Sequence, residues 1–172
     1  MLVIFGGLPG SGKTTIARAL ARRLGAVHVR VDTIEQAIRA SGDPSNHIGP
    51  AGYVVAYGIA EDNLTLGRMV IADSVNPLTI TREAWLAVAA RSGVIAAEVE
   101  LICSDKTEHR RRVETRKTDV EGLVKPTWQE VVERIYDDWG QTPIIVDTAA
   151  RDVPEIVEAL IVQLRTERLL PI

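Results

Sequence analysis

The residues most suited to chemistry lie near the start of the chain. There Gly7-Leu8-Pro9-Gly10-Ser11-Gly12-Lys13-Thr14 matches the phosphate-binding pattern G-x-x-x-x-G-K-[ST] at every fixed position. Its glycines let the backbone bend tightly, so that successive N–H groups and the start of the next helix face an anion. Residues Gly7 through Thr15 are therefore the expected phosphate cradle. In such a loop Lys13 reaches the β- and γ-phosphates of a nucleoside triphosphate, and the Thr14 hydroxyl ligates Mg²⁺. An ordinary glycine-rich turn has no reason to keep all these positions between a strand and a helix.

Two acids and two arginines extend the set. Asp32 closes the alternating run Val27-His28-Val29-Arg30-Val31, on the rim expected to hold the γ-phosphate. A carboxylate there could orient an alcohol and take its proton during phosphoryl transfer, although Asp is also a preferred helix N-cap. Asp73 ends the apolar run Met69-Val70-Ile71-Ala72. An acid at the end of a hydrophobic strand supplies the second protein contact to the Mg²⁺ shell, and the alternative is a plain turn into Asn76-Pro77. The cluster His109-Arg110-Arg111-Arg112, followed by Arg116 and Lys117, holds several cations. Charge runs usually form a solvated helix face, and Arg110 and Arg111 are assigned to it. Arg112 and Arg116 are four residues apart and precede a polar loop, so they are the pair that could close over the phosphates. Arg82, His47, Tyr53, Tyr57 and Asn63 fall in segments that could line an acceptor pocket, with packing as the competing role. Asp147, Thr148 and Ala149 could border a base.

Elements of regular structure must position these groups. Leu2–Phe5 is an apolar run suited to a buried strand, and Ile16, Ala17, Leu20, Ala21 and Leu24 follow at helical spacing up to Gly25. Residues 27–31 alternate wet and dry, as an edge strand does. Helices are expected over 33–41, 52–66 and 80–92, with a loop at 41–46 and strands at 69–72 and 95–103. Asp105 and Glu108 have capping-box spacing before a basic helix His109–Lys117. Thr127 and Glu130 open a helix striped by Trp128, Val131, Val132, Ile135 and Trp139. A strand at 143–146 and a helix opened by Asp152 close the chain. Strands alternating with helices imply an α/β fold, with a parallel sheet covered on both faces and ligands at the carboxyl ends of its strands.

Composition narrows the partners. One domain is expected from 172 residues, of which 46% are hydrophobic and 25% charged. A net charge of −3 gives no general basic footprint, which disfavours nucleic acid as a partner. No run reaches transmembrane length, and the first residues enter a strand without a leader pattern. Cys103 is the sole cysteine, which suits a reducing cytoplasm, and it reads as a buried strand residue. Oligomeric state has no signature.

Together these residues resemble the P-loop small-molecule kinases, the nucleoside-monophosphate-kinase-like group that includes shikimate kinase, gluconate kinase and chloramphenicol phosphotransferase. The resemblance spans nearly the whole chain and is nearest to small predicted kinases labelled AAA-family ATPases. It implies a three-layer α/β/α fold, a five-stranded parallel sheet in the order 2-3-1-4-5, an acceptor-binding segment at 33–68 and a helical lid at 109–127. Arg112-Val-Glu-Thr-Arg116 fits the lid's R-x-x-x-R arrangement, and Asp32 stands where chloramphenicol phosphotransferase carries its catalytic aspartate. Asp73-Ser-Val-Asn-Pro departs from the Asp-Gly-Phe-Pro-Arg of adenylate kinases, and no Gly-His-Phe follows Arg116 as in gluconate kinases.

The expected activity is transfer of the γ-phosphate of ATP, with Mg²⁺, to a hydroxyl of a small molecule. Asp32, Lys13, Arg112 and Arg116 would be catalytic, and Asp32, Arg82, Tyr53 and Tyr57 would meet the acceptor. The alternatives are a kinase for nucleotides or polynucleotide 5′-ends and a partner-activated ATPase switch. A GTPase would carry Asn-Lys-x-Asp, which does not occur.

Overall fold

A computed structural model describes residues 1–42, 48–117, 120–140, 143–167 and 169–170. Strand β1 (Leu2–Gly6) is fully buried and leads into the glycine loop and helix α1 (Lys13–Leu24). Then come β2 (Val27–Arg30), α2 (Val31–Ala40), α3 (Ala51–Thr65), β3 (Val70–Asp73) and α4 (Thr79–Arg91). The second half holds β4 (Ala96–Ile102), α5 (Lys106–Thr115), the short α6 (Trp128–Val132), β5 (Ile144–Asp147) and α7 (Val153–Thr166). The five strands are all parallel in the order β2-β3-β1-β4-β5, as the resemblance implies.

Because β1 and β3 are apolar on both faces, the sheet needs cover on both sides. One core layer packs Phe5, Ile71 and Val99 against α1 and α7 through Ile16, Leu20, Ile156 and Leu160. The opposite layer packs Ile4, Val70 and Ala72 against α3 and α4 through Ala60, Leu64, Trp85 and Val88. Among the described residues no helix is long and apolar enough to cross a membrane.

Several boundaries differ from the sequence reading. β2 is an edge strand, and its pairing with β3 stops at Arg30 opposite Asp73. Helix α2 begins at once, so Asp32 neither closes the strand nor caps the helix. It sits in the first turn, with Arg30 at the N-cap, where a carboxylate is favoured by the helix dipole. Helix α5 starts three residues early because Asp105 accepts from the N–H groups of Thr107 and Glu108, and it ends at Thr115. The expected reciprocal box is absent, since Glu108 turns instead to Arg112 and the Ala150 N–H.

The stripe from Trp128 to Trp139 is not one helix. The Thr127 capping box opens α6, which ends at Val132, leaving Val132 and Ile135 exposed while Val131 and Trp139 are buried. Trp139 is held elsewhere: a Cβ on Gly6 would come within 2.1 Å of its ring. Cys103 is buried just beyond β4 and not within it.

Candidate active site

The strand ends of β1, β2 and β3 open onto one cleft of about 1230 Å³, larger than a single small-molecule site needs. The glycine loop forms one wall. Gly10 adopts φ +87, and a Cβ there would strike Val113 at 2.6 Å, so α5 presses on the outside of the loop and admits only glycine. His109, buried on α5, donates its Nε2–H to the Pro9 carbonyl at 2.8 Å and packs edge-on against Trp128. Thr148, just past β5, donates its hydroxyl to the Ser11 carbonyl at 2.9 Å. These two side chains brace the loop from behind. The sequence hid both, one inside a charge run and the other among three residues that could border a base.

Lys13 opens α1 and points into the cradle, where Nζ donates to the Leu8 carbonyl at 3.0 Å. Burial pulls its pKa down to about 8, against the upward pull of Asp73 and Asp32. A buried ammonium that is only partly compensated favours an incoming phosphate. Thr14 and Asp73 also face the cleft. Asp73 is 3% exposed and accepts a hydrogen bond from His28 Nε2–H at 3.0 Å, a partner the sequence did not single out. His28 and Asp73 meet only because β2 and β3 run side by side. Among the described residues no cluster of three or more His, Cys, Asp or Glu side chains could hold a metal. A hydroxyl and one carboxylate suit Mg²⁺, which keeps several waters and takes its other ligands from substrate phosphates.

Asp32 faces the same cleft, 43% exposed, with Arg30 Nη2 at 3.6 Å from its carboxylate. Glu35, one turn further along α2, has its pKa raised by burial and by the Asp32 charge. Tyr53 and Tyr57 line the acceptor side as expected. The Tyr53 hydroxyl accepts from the Asn76 N–H at 3.2 Å, and burial raises its pKa. Tyr57 donates to the Thr81 carbonyl at 3.2 Å, and burial pushes its pKa up to about 12. Asn76 is fully buried at φ +48 and donates its side-chain N–H to the Phe5 carbonyl at 2.7 Å. It thus ties α3 to the end of β1.

The two lid arginines both face the cleft but have different partners. Arg112 donates to Glu108, to the Thr148 hydroxyl at 2.8 Å and to the Thr148 carbonyl at 2.9 Å, beside the loop. Arg116 is the C-cap, its N–H still bonded to the Arg112 carbonyl, and it lies within electrostatic reach of Asp32, Arg30 and Lys13. Arg134, which the sequence reading passed over, also faces the cleft.

Arg82 requires a correction. It is absent from the described cleft wall; its guanidinium donates to the Asp137 and Asp138 carbonyls, both at 3.0 Å, and lies 4.6 Å from the Trp139 ring centre. The position on α4 points its side chain under the loop at 137–139, away from an acceptor. Arg82→Met should therefore destabilise the protein by about 2–3 kcal/mol, read by urea unfolding, because two carbonyls lose their donor. Acceptor KM should stay within about twofold. A tenfold KM rise at unchanged stability would return Arg82 to the acceptor site. Asn63 is also outside the described wall, donating to Ile59 within α3. Asp147 is taken up by Ser104 and the Ala149 N–H. His47 and residues 43–46 of the expected loop lie outside the described residues, as do 118 and 119 of the expected lid.

Comparison with known proteins places this geometry. A family model described as AAA_33, AAA domain, matches residues 2–136. No curated protein matches the sequence. Among solved structures, a candidate kinase of Chloroflexus aurantiacus aligns with TM-score 0.74 at 19% identity, covering 96% of each chain. The Mycobacterium tuberculosis APS kinase CysC, solved with AMPPNP and APS, aligns with TM-score 0.72 at 20% identity, covering 95% of this chain and 96% of the other. A gluconokinase of Sinorhizobium meliloti aligns with TM-score 0.66 at 21% identity, covering 96% and 91%. Identities this low establish a shared fold.

Proposed function

This chain belongs to the AAA_33 family of AAA domains, and we propose that it is a phosphotransferase moving the γ-phosphoryl group of ATP to a hydroxyl of a small molecule. One observation carries the reading: the phosphate cradle, the buried Asp73 and the half-buried Asp32 border a single cleft with space for a donor and an acceptor.

In the proposed reaction the triphosphate lies along residues 7–15, held by backbone N–H groups and by Lys13. Thr14 and Asp73 would hold Mg²⁺, which would supply charge neutralisation to the phosphates. Asp32 accepts the proton of the acceptor hydroxyl as that oxygen bonds to the γ-phosphorus. The bond from the γ-phosphorus to the β–γ bridging oxygen breaks in line, and ADP leaves. Arg116 steadies the charge that develops on the transferring group. Arg112 acts at one remove, by holding Thr148 and so the back of the loop. His28 orients the Asp73 carboxylate.

ADP release measured against a broad alcohol panel tests the proposal. The expected result is turnover that depends on one class of acceptor. A turnover rate independent of every alcohol would favour an ATPase switch and overturn the transferase reading.

A further inference from the structure

The glycines that let the phosphate loop bend also let its peptide groups turn over. Gly10 stands at φ +87 and Gly12 at φ +95, and glycine accepts either sign of φ at little steric cost. Left to themselves, the Pro9–Gly10 and Ser11–Gly12 peptides can each turn a carbonyl oxygen to the cleft in place of an N–H. An inward carbonyl would set the negative end of a dipole against a phosphate.

Each of these two peptides is pinned by a side chain from the second half of the chain. The Pro9 carbonyl can only accept, so the hydrogen bond at 2.8 Å holds the His109 ring in its Nε2–H form. That ring is buried, and Trp128 packs edge-on against it with ring centres 5.2 Å apart. Trp128 is fixed in turn as the first residue of α6, behind the Thr127 capping box. At the second peptide the Thr148 hydroxyl accepts from Arg112 at 2.8 Å and donates to the Ser11 carbonyl at 2.9 Å. The Ile102 carbonyl, 3.1 Å from that hydroxyl, already accepts the Thr148 N–H.

No peptide bond is cis, so the C=O and N–H of each unit point in opposite directions. With the two carbonyls turned back towards His109 and Thr148, the Gly10 and Gly12 N–H groups point towards the cleft that both glycines line. Among the described residues neither N–H has a hydrogen-bond partner. They are donors set out for an anion.

We propose that His109 and Trp128 are positioning residues for the phosphate donor. His109 locks the Pro9–Gly10 peptide with its N–H inward, Trp128 keeps the His109 ring in place, and Thr148 with Arg112 locks Ser11–Gly12 in the same sense. The locks act only on ligands that carry a phosphate chain, and not on the base or ribose. The inference rests on the donor half of the transferase reading and is indifferent to the acceptor.

The test is displacement of a fluorescent ADP derivative, with Mg²⁺ present, by AMPPNP, ADP and adenosine in turn. His109→Phe keeps a flat ring against Trp128 and removes the donor. It should weaken AMPPNP and ADP by about tenfold, as a misdirected charge-assisted contact predicts, and leave adenosine within about twofold. His109→Gln, whose side-chain amide can donate to the same carbonyl, should recover most of that loss. Trp128→Ala should weaken the two phosphorylated ligands by a smaller factor and again spare adenosine. Thr148→Val should repeat the pattern at the second peptide, and Thr148→Ser should relieve it. Melting of the nucleotide-free proteins shows which variants fold, and Trp128→Ala carries the comparison if His109→Phe does not. Adenosine weakened as much as AMPPNP, or His109→Gln no better than His109→Phe, would reduce His109 to packing and overturn the inference. AMPPNP affinity unchanged in both His109→Phe and Trp128→Ala would overturn it too, and leave the transferase standing. The expected pattern with no transfer to any alcohol would do the reverse.

Discussion

Lys13→Met is expected to abolish acceptor-dependent turnover while making the nucleotide-free protein more stable. The first effect follows from removing the ammonium that meets the β- and γ-phosphates, a loss of at least about 10²–10³ in kcat for a donor of this kind. The second follows from its burial. Lys13 is 8% exposed and its pKa falls from the usual 10.5 to about 8. A shift of that size corresponds to about 3 kcal/mol spent on holding the charge, partly offset by about 1 kcal/mol from the hydrogen bond to the Leu8 carbonyl. The variant without ligand should therefore melt a few degrees higher, at about 2–4 °C per kcal/mol for a domain of this size. Between about pH 8 and 10.5 the unfolded chain keeps a proton on Lys13 that the folded chain has lost. Wild-type stability without ligand should accordingly rise with pH across that window, and the rise should vanish in Lys13→Met. With Mg²⁺ and ATP the order should invert, because only the wild type gains from ligand. Differential scanning calorimetry with and without nucleotide reads all three. A variant less stable than wild type without ligand would mean that Lys13 is well compensated in the empty cradle.

Asp32→Asn is expected to lower kcat by about 10²–10⁴, the range for a positioned base, with Mg²⁺·ATP affinity within about twofold of wild type. The asparagine keeps the size and shape of the side chain, so folding and nucleotide binding should survive. Acceptor KM should change less than kcat, because the proton is taken only as the transition state forms. Phosphoryl transfer at wild-type rate in this variant would remove Asp32 from the role of base and direct attention to Glu35, its neighbour on α2.

The layout of the sheet was legible because it depends on short-range pattern. Four apolar residues before Gly6, the alternation over 27–31 and the capped amphipathic α7 each determine a strand or helix with little help from elsewhere. The phosphate cradle was legible for the same reason, as its function is encoded in eight consecutive positions. The rest of the site is made by contacts across the chain. His28 meets Asp73 only through the β2–β3 register, and Thr148 reaches Ser11 only because β5 lies beyond β4. Arg82 could not be told from an acceptor-binding arginine until the loop at 137–139 was seen folded over it. The apparent stripe through Trp139 failed because two separate demands, packing on α5 and covering Gly6, fell by chance at helical spacing. Arg112 and Arg116 both face the cleft, one in the last turn of α5 and the other at its C-cap, but only Arg112 is spent on bracing Thr148.

The destination of the γ-phosphate tests the central proposal most directly. The protein should be incubated with Mg²⁺ and ATP labelled on that phosphorus, together with a small-molecule extract, and the label followed by chromatography. The account predicts label in an organic phosphate ester, lost in Lys13→Met and strongly reduced in Asp32→Asn. Label appearing as inorganic phosphate alone, at a rate indifferent to the extract, would contradict it.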